Sequence, residues 1–287
     1  VDDIDLARRH GLDLDPASLT SNDMGLDYRV VIGCAEGQGW VLRIPRRPGL
    51  HAPSMVERRV LELVAPALSV PVPDWRIHTP ELIAYPLLPG SPGLTIESGE
   101  PIFHIDIASL VYAESMGDLL YELHAVNTDH AATTGVPVRS PEEVRAHWAT
   151  TIEQVAGDFT IADALIDRWR AWLDDDSYWP GQSVLTHGEI YPAHTLIDGE
   201  RITAVLDWTT AEVGDPARDF AIYHSIAPPA AFRAMADRYV TRGGEVWPRL
   251  EEHCIELMST APLSYALYAL QTGDPDHRAA AQAGLAG

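Results

Sequence analysis

Residues 194–207 read HTLIDGERITAVLD, and the Asp198-Gly199 step inside them is a strong hairpin signal. Both flanking runs carry the residues favoured in strands. Folding back at Gly199 sets the start of the first run beside the end of the second, so His194 and Asp207 emerge at one end of the hairpin. The loop that leads in, LTHGEIYPA, carries His187 and Glu189, and Tyr191-Pro192 stiffens it. His187 and His194 lie seven positions apart with Pro192 between them. That spacing excludes the helical zinc-protease pattern, which needs two histidines four positions apart on one continuous helix.

The segments 26–33 and 37–45 read as an antiparallel pair joined by a turn at AEGQG, with Arg43 inside the second strand. The pattern then predicts a helix capped by Ser54, with Glu57 closing a capping box and Val56, Val60, Leu63 and Val64 as its apolar stripe. Segments 76–78 and 81–88 read as two more strands, the second stopped by Pro89-Gly90. Beyond residue 90 the chain reads as mostly helical. Helices are expected over 105–126, over 140–148 with Ser140, Pro141 and Glu143 as a complete start signal, over 162–173, and from about 215 onward. A strand-rich first third followed by a helical remainder with one hairpin is a two-lobed α+β arrangement. The expected division is a first lobe over 1–88 and a helical lobe over 89–287.

An imidazole and a carboxylate at one hairpin end suit a divalent ion that also binds phosphate oxygens. A further acid on the adjacent loop, Glu189, suits the reception or orientation of a hydroxyl proton. With a cation on a strand near a helix glutamate, this is the part list of phosphoryl transfer. Composition narrows the choices. All 20 basic residues are arginine, so Schiff-base chemistry and a lysine-bearing phosphate loop are excluded. The formal net charge of -22 disfavours nucleic acid as a partner and agrees with a cationic small molecule. No apolar run is long enough to cross a bilayer, so no membrane partner is expected. The opening VDDIDLARRH lacks the apolar core of a signal peptide. Two cysteines, Cys34 and Cys254, make neither a disulfide framework nor a metal spacing, and a reducing cytoplasm and a monomer are the expectations.

His187-Gly188-Glu189, four residues, His194, then Leu206-Asp207-Trp208 and GDPARDFA (214–221) resemble the aminoglycoside-phosphotransferase-like family of small-molecule kinases, which share the protein-kinase fold. The catalytic loop of that family runs H-G-D-x-x-x-x-N, with a hairpin and an I-D-W or I-D-F aspartate after it. The histidine at 194, the YPAH run, GLDYRVV, WVLRIPRR and ELIAY look like those of macrolide 2′-phosphotransferases. The resemblance runs in order along nearly the whole chain. It implies that His194 and Asp207 bind Mg2+ and that Arg43, partnered by Glu57, stands where a strand lysine usually holds phosphates. It also implies a hinge at Ala84, Tyr85 and Leu87 on the purine edge, Leu196 beneath the base, and SNDMG (21–25) over the phosphates. The donor implied is GTP, with ATP possible. The acceptor implied is the desosamine 2′-hydroxyl of a macrolide antibiotic, met near Trp208, Thr209 and Glu212.

Several of these residues also admit plainer roles. Glu57 could simply close its capping box, and any of Arg43, Arg46 and Arg47 could face solvent, although strand alternation puts Arg43 on one face with Val41. Asp219 reads as a buried anchor for the catalytic-loop backbone and His187 as support for the same loop. His124 reads as a satisfied core histidine, Asp198 as a turn residue, and Trp208, Tyr265 and Tyr268 as pocket lining or core. Glu189 departs from the family's aspartate by one methylene, a reach of about 1.5 Å. A kinase for another acceptor, or a nucleotide-binding protein impaired in transfer, therefore stand as alternatives.

Overall fold

The structure, a computed structural model, describes residues 3–22 and 27–286 of the chain. It packs as two compact units. The first comprises Val1–Ile105, Thr133–Val136 and Pro192–Ala211, and the second Asp106–Ala132, Pro137–Tyr191 and Glu212–Gly287.

The first unit opens with α1 (Asp3–Arg9), followed by β1 (Thr20–Asn22), β2 (Tyr28–Ala35), β3 (Gln38–Pro45), α2 (His51–Val64), β4 (Ile77–His78) and β5 (Ile83–Pro86). The five strands form one antiparallel sheet in the order β1-β2-β3-β5-β4. Alternation splits the side chains of β3 and β5 between its faces. One face sends Val31, Ala35, Leu42, Leu82 and Ala84 against Leu6 and Ala7 of α1 and against Leu12 and Leu14. Each of the valine and leucine side chains contributes about 1.5–3 kcal/mol when fully buried. The opposite face carries Tyr28, Val41, Arg43, Ile83 and Tyr85, and α2 meets it through the Arg43–Glu57 ion pair.

The structure corrects the expected start of α2. The helix begins at His51, so Ser54 lies within its first turn, donating Oγ–H to the His51 carbonyl at 2.8 Å and meeting His78 Nε2 at 2.7 Å. Proline is tolerated in a first turn because its missing N–H has no helical acceptor there, so Pro53 sits inside the helix. Glu57, freed from capping, turns inward.

The remainder of this unit is less helical than expected. After β6 (Ser91–Pro92), the strands β7 (Leu94–Glu97) and β8 (Glu100–Phe103) make an unforeseen hairpin. Ser98 and Gly99 turn it with positive φ of 53° and 87°, the left-handed pair of a type I′ two-residue hairpin. Strands β10 (Thr195–Asp198) and β11 (Arg201–Val205) form the hairpin anticipated around Gly199, with a register shift between Leu196 and Ile197, and β6 joins the free edge of β10.

The second unit holds α3 (Leu110–His124), α5 (Pro141–Asp158), α6 (Asp163–Asp174), α7 (Ala217–Ile226), α8 (Pro229–Arg242), α9 (Leu250–Ser259), α10 (Ala261–Thr272) and α11 (Pro275–Leu285), with α4 (Thr128–Thr133) reaching the edge of that unit. The helix foreseen from residue 105 starts only at Leu110, where Ser109 caps the Tyr112 N–H. The capping box at Ser140 and Glu143 forms as read. One small antiparallel pair, β9 (Val184–Thr186) with β12 (Glu212–Gly214), brackets the loop carrying His187 and Glu189. Among the described residues, no helix is long and apolar enough to cross a membrane.

Candidate active site

In the first unit, strand alternation points Arg43 at α2, and its Nη1 donates to Glu57 Oε1 at 2.6 Å. Both side chains are nearly enclosed, 11% and 3% exposed, so the pair is a buried one. Burial opposes the charge on Arg43, but the Glu57 carboxylate more than offsets it and holds the guanidinium protonated well above its ordinary range. Burial likewise pushes Glu57 up, against the pull of Arg43. Two aromatic rings accompany the cation. The Tyr28 ring centroid lies 4.4 Å and the Trp75 centroid 5.5 Å from the Arg43 Cζ. Tyr85, on the same face, is buried and its hydroxyl pKa is pushed up to about 12.

The β10–β11 hairpin closes as its turn chemistry dictates. Leu206 N–H donates to the His194 carbonyl at 2.8 Å, and His194 Nε2 comes within 3.8 Å of Asp207 Oδ2. Asp207 holds a left-handed φ of 59°, a conformation that aspartate tolerates better than most residues, and it accepts from Thr209 Oγ at 2.7 Å. Among the described residues, no three or more His, Cys, Asp or Glu side chains gather as a self-sufficient metal cage. One carboxylate with one neighbouring donor fits Mg2+, which takes its other ligands from phosphate oxygens and water. The imidazole is a softer donor than Mg2+ prefers.

The hinge assignment needs correction. Leu87 N–H donates to the Gly39 carbonyl at 2.8 Å, and the Ala84 carbonyl accepts from Arg76 N–H at 2.9 Å, so sheet bonds already use both. Tyr85 is paired with Val41 of β3. Antiparallel alternation turns the Pro86 carbonyl, at the end of β5, toward the other edge. Leu196 is buried in β10 between Pro92 and Ala204. Of the phosphate loop expected at 21–25, Asp23–Gly25 lie outside the described residues, and Ser21 and Asn22 belong to β1.

In the second unit, a carboxylate on α7 holds the start of the loop after β9. Asp219 of α7 accepts the His187 N–H at 2.9 Å through Oδ2 and the Gly188 N–H at 2.6 Å through Oδ1. His124 Nε2 meets the same Oδ2 at 3.1 Å, and His124 Nδ1 meets the Tyr239 hydroxyl at 3.0 Å. With Asp219 ionised, these distances assign the proton to Nε2 and leave Nδ1 to accept from Tyr239. Burial would raise the Asp219 pKa, but the His124 bond, nearby histidines and the Gly188 N–H lower it below the ordinary carboxylate value. His187 is fully buried, and its Nδ1 accepts the Glu189 N–H at 3.3 Å. Glu189, the third residue of that loop, is half-buried.

Two residues expected at an acceptor pocket are placed otherwise. Trp208 is only 1% exposed and serves as core of the first unit. Glu212 is held by Arg139 at one oxygen and Arg218 at the other, each at 2.5 Å, so its charge is already matched within the second unit. Thr209 is exposed. Sequence reasoning missed the roles of Tyr28, Trp75 and Tyr239. Tyr239 stands 115 positions from His124 and Trp75 lies outside the β2–β3 pair that holds Arg43, so no local pattern marks either, whereas Tyr28 lies on the strand paired with that of Arg43.

The chain is similar along nearly its whole length to several known proteins. A solved macrolide 2′-phosphotransferase, MphH from Brachybacterium faecium, is 56% identical and superposes with a TM-score of 0.95, over 98% of this chain and 97% of that one. A macrolide 2′-phosphotransferase of type I is 41% identical with a TM-score of 0.91, over 99% and 95%. The Bacillus subtilis (strain 168) protein YcbJ, described as uncharacterized, is 38% identical over 96% of this chain and 92% of its own length. The family model described as "Phosphotransferase enzyme family" matches residues 25–253. This chain therefore belongs to the phosphotransferase enzyme family, with the kinase-like fold of that family and a hydroxyl group as phosphate acceptor.

Proposed function

We propose that this enzyme transfers the γ-phosphate of GTP or ATP to the 2′-hydroxyl of the desosamine sugar of macrolide antibiotics. The carrying observation is the 56% identity to MphH across nearly the full length of both chains. The dimethylammonium beside that hydroxyl is also a natural ligand for a chain of net charge -22.

The roles follow from the chemistry of each group. The first unit, which includes His194 and Asp207, serves chiefly the nucleotide, and the second chiefly the acceptor. Arg43, fixed by Glu57, neutralises phosphate oxygens in a part of the fold that excludes water. Asp207 and His194 hold Mg2+, which when bound screens the charge of the donor phosphates. The Pro86 carbonyl and Leu88 N–H read the purine edge. One acceptor beside one donor suits adenine (N6–H and N1) and guanine (N1–H and O6) alike, so this pair admits both donors. Glu189 orients the sugar hydroxyl and takes its proton as the new oxygen–phosphorus bond forms and the bond from the γ-phosphorus to the β-phosphate oxygen breaks, releasing GDP or ADP. In a loose transition state this is mainly a positioning task, which the longer side chain performs as long as its carboxylate reaches the hydroxyl. Asp219 keeps that loop in place through the His187 and Gly188 N–H groups.

The test is incubation with Mg2+, GTP or ATP, and erythromycin, read by mass spectrometry. A phosphate-sized mass gain on the drug is expected, removed by a 2′-blocked substrate. Turnover of a different hydroxylated cation with no gain on any macrolide would replace the acceptor assignment. Nucleotide binding without transfer to any acceptor would favour the second reading, a binding protein, which the Glu189 methylene motivates.

A further inference from the structure

The position that carries the buried cation is built for arginine in particular. Arg43 is 11% exposed, its Nη1 is engaged by Glu57 at 2.6 Å, and its Cζ faces the Tyr28 ring at 4.4 Å and the Trp75 ring at 5.5 Å. These partners come from four separate segments: Arg43 from β3, Tyr28 from the start of β2, Glu57 from α2, and Trp75 from the residues before β4. Tyr28 and Trp75 are themselves buried, at 8% and 7%, so the rings are held in place by their surroundings. A planar guanidinium lies against an aromatic face, engages a carboxylate along its edge and still presents N–H groups elsewhere on its fork. An ammonium ion is a compact point charge, more strongly hydrated, with no face to lay against a ring. Moving it into this enclosure costs more and returns less.

We propose that Tyr28 and Trp75 are positioning residues that make the phosphate-binding cation at position 43 specific for arginine, so that lysine cannot take its place. The rings fix the plane of the guanidinium, Glu57 fixes its rotation within that plane, and the remaining N–H groups then point in a defined direction. The absence of lysine from the whole chain accords with this arrangement but does not itself require it. The inference rests on the donor-binding role given to Arg43 above.

The experiment is a double-mutant cycle read by titration with Mg2+ and a fluorescent GTP or ATP analogue without acceptor, with thermal unfolding as the control for folding. Arg43→Lys is expected to raise the nucleotide Kd on the order of 10- to 30-fold while melting within a few degrees of the unaltered protein. Tyr28→Phe, which keeps the ring, is expected to bind within about twofold. Tyr28→Leu is expected to weaken binding, and in that background Arg43→Lys should cost much less than it does alone. Trp75→Leu takes the place of Tyr28→Leu should the latter lose its fold. A Kd for Arg43→Lys within twofold of the unaltered protein, or strictly additive losses, overturns the inference and leaves the phosphotransferase assignment standing. No nucleotide binding by the unaltered protein overturns the donor reading, and this inference falls with it.

Discussion

Asp219 Oδ1 accepts the Gly188 N–H at 2.6 Å, so a fully buried carboxylate on α7 sets the course of the loop that presents Glu189. Asp219→Asn puts an amide NH2 where one of two backbone N–H groups needs an acceptor. A misplacement near 1 Å lowers kcat on the order of 100-fold, with nucleotide Kd changed little. Steady-state kinetics beside a nucleotide titration checks this, and a kcat within threefold of the unaltered enzyme would count against it.

Glu189→Ala removes the group proposed above to orient and deprotonate the acceptor. Transfer is expected to fall about 10²- to 10⁴-fold while nucleotide still binds. Glu189→Asp shortens the side chain and should retain a larger share of activity. Single-turnover rates for the pair separate reach from charge. Equal rates for Glu189→Ala and the starting enzyme would show that this carboxylate has no part in the reaction.

Asp207→Asn and His194→Ala should each lose most Mg2+-dependent transfer, on the order of 10²-fold or more, and a chelator should abolish it in the unaltered enzyme. Because imidazole is the softer ligand, His194→Asn should recover part of the lost activity with Mg2+ and lower the ratio of Mn2+- to Mg2+-supported rates. Rates unchanged by either first substitution would remove these residues from the metal site.

His78 predicts an acid weakness in the first unit. Desolvation, then the nearby His51, lowers its pKa from 6.5 to about 4. Unfolded chains bind the proton near 6.5 and the folded one resists it to about 4. The stabilising contribution is therefore full above pH 6.5 and is lost as the pH falls toward 4. His78→Gln should flatten the dependence of melting temperature on pH across that window. An identical slope in both proteins would assign the acid sensitivity elsewhere.

The parts of this site that sequence reveals are those closed by local chemistry. Asp198-Gly199 reverses the chain whatever surrounds it, and that alone brings His194 and Asp207 within 3.8 Å. Ser140 and Glu143 form their box because both partners lie within one turn. The same pattern at Ser54 and Glu57 misleads, since α2 begins three residues earlier and Glu57 answers to an arginine on a neighbouring strand. A purine-facing edge depends on which strand takes each N–H, and only the register of β3 with β5 decides it. The Asp219–His124–Tyr239 chain spans three helices, and no residue near His124 in sequence hints at it.

Arginine at position 43 has a practical consequence for anyone searching for such enzymes. Acyl-phosphate and activated-ester probes report nucleotide sites by acylating a lysine ε-amine, and this sequence contains none. The Arg43 guanidinium, proposed above to take that role, is buried, paired with Glu57 and held protonated, so it is no nucleophile. A proteome-wide survey that relies on lysine labelling would pass over this protein even when its nucleotide site is fully occupied.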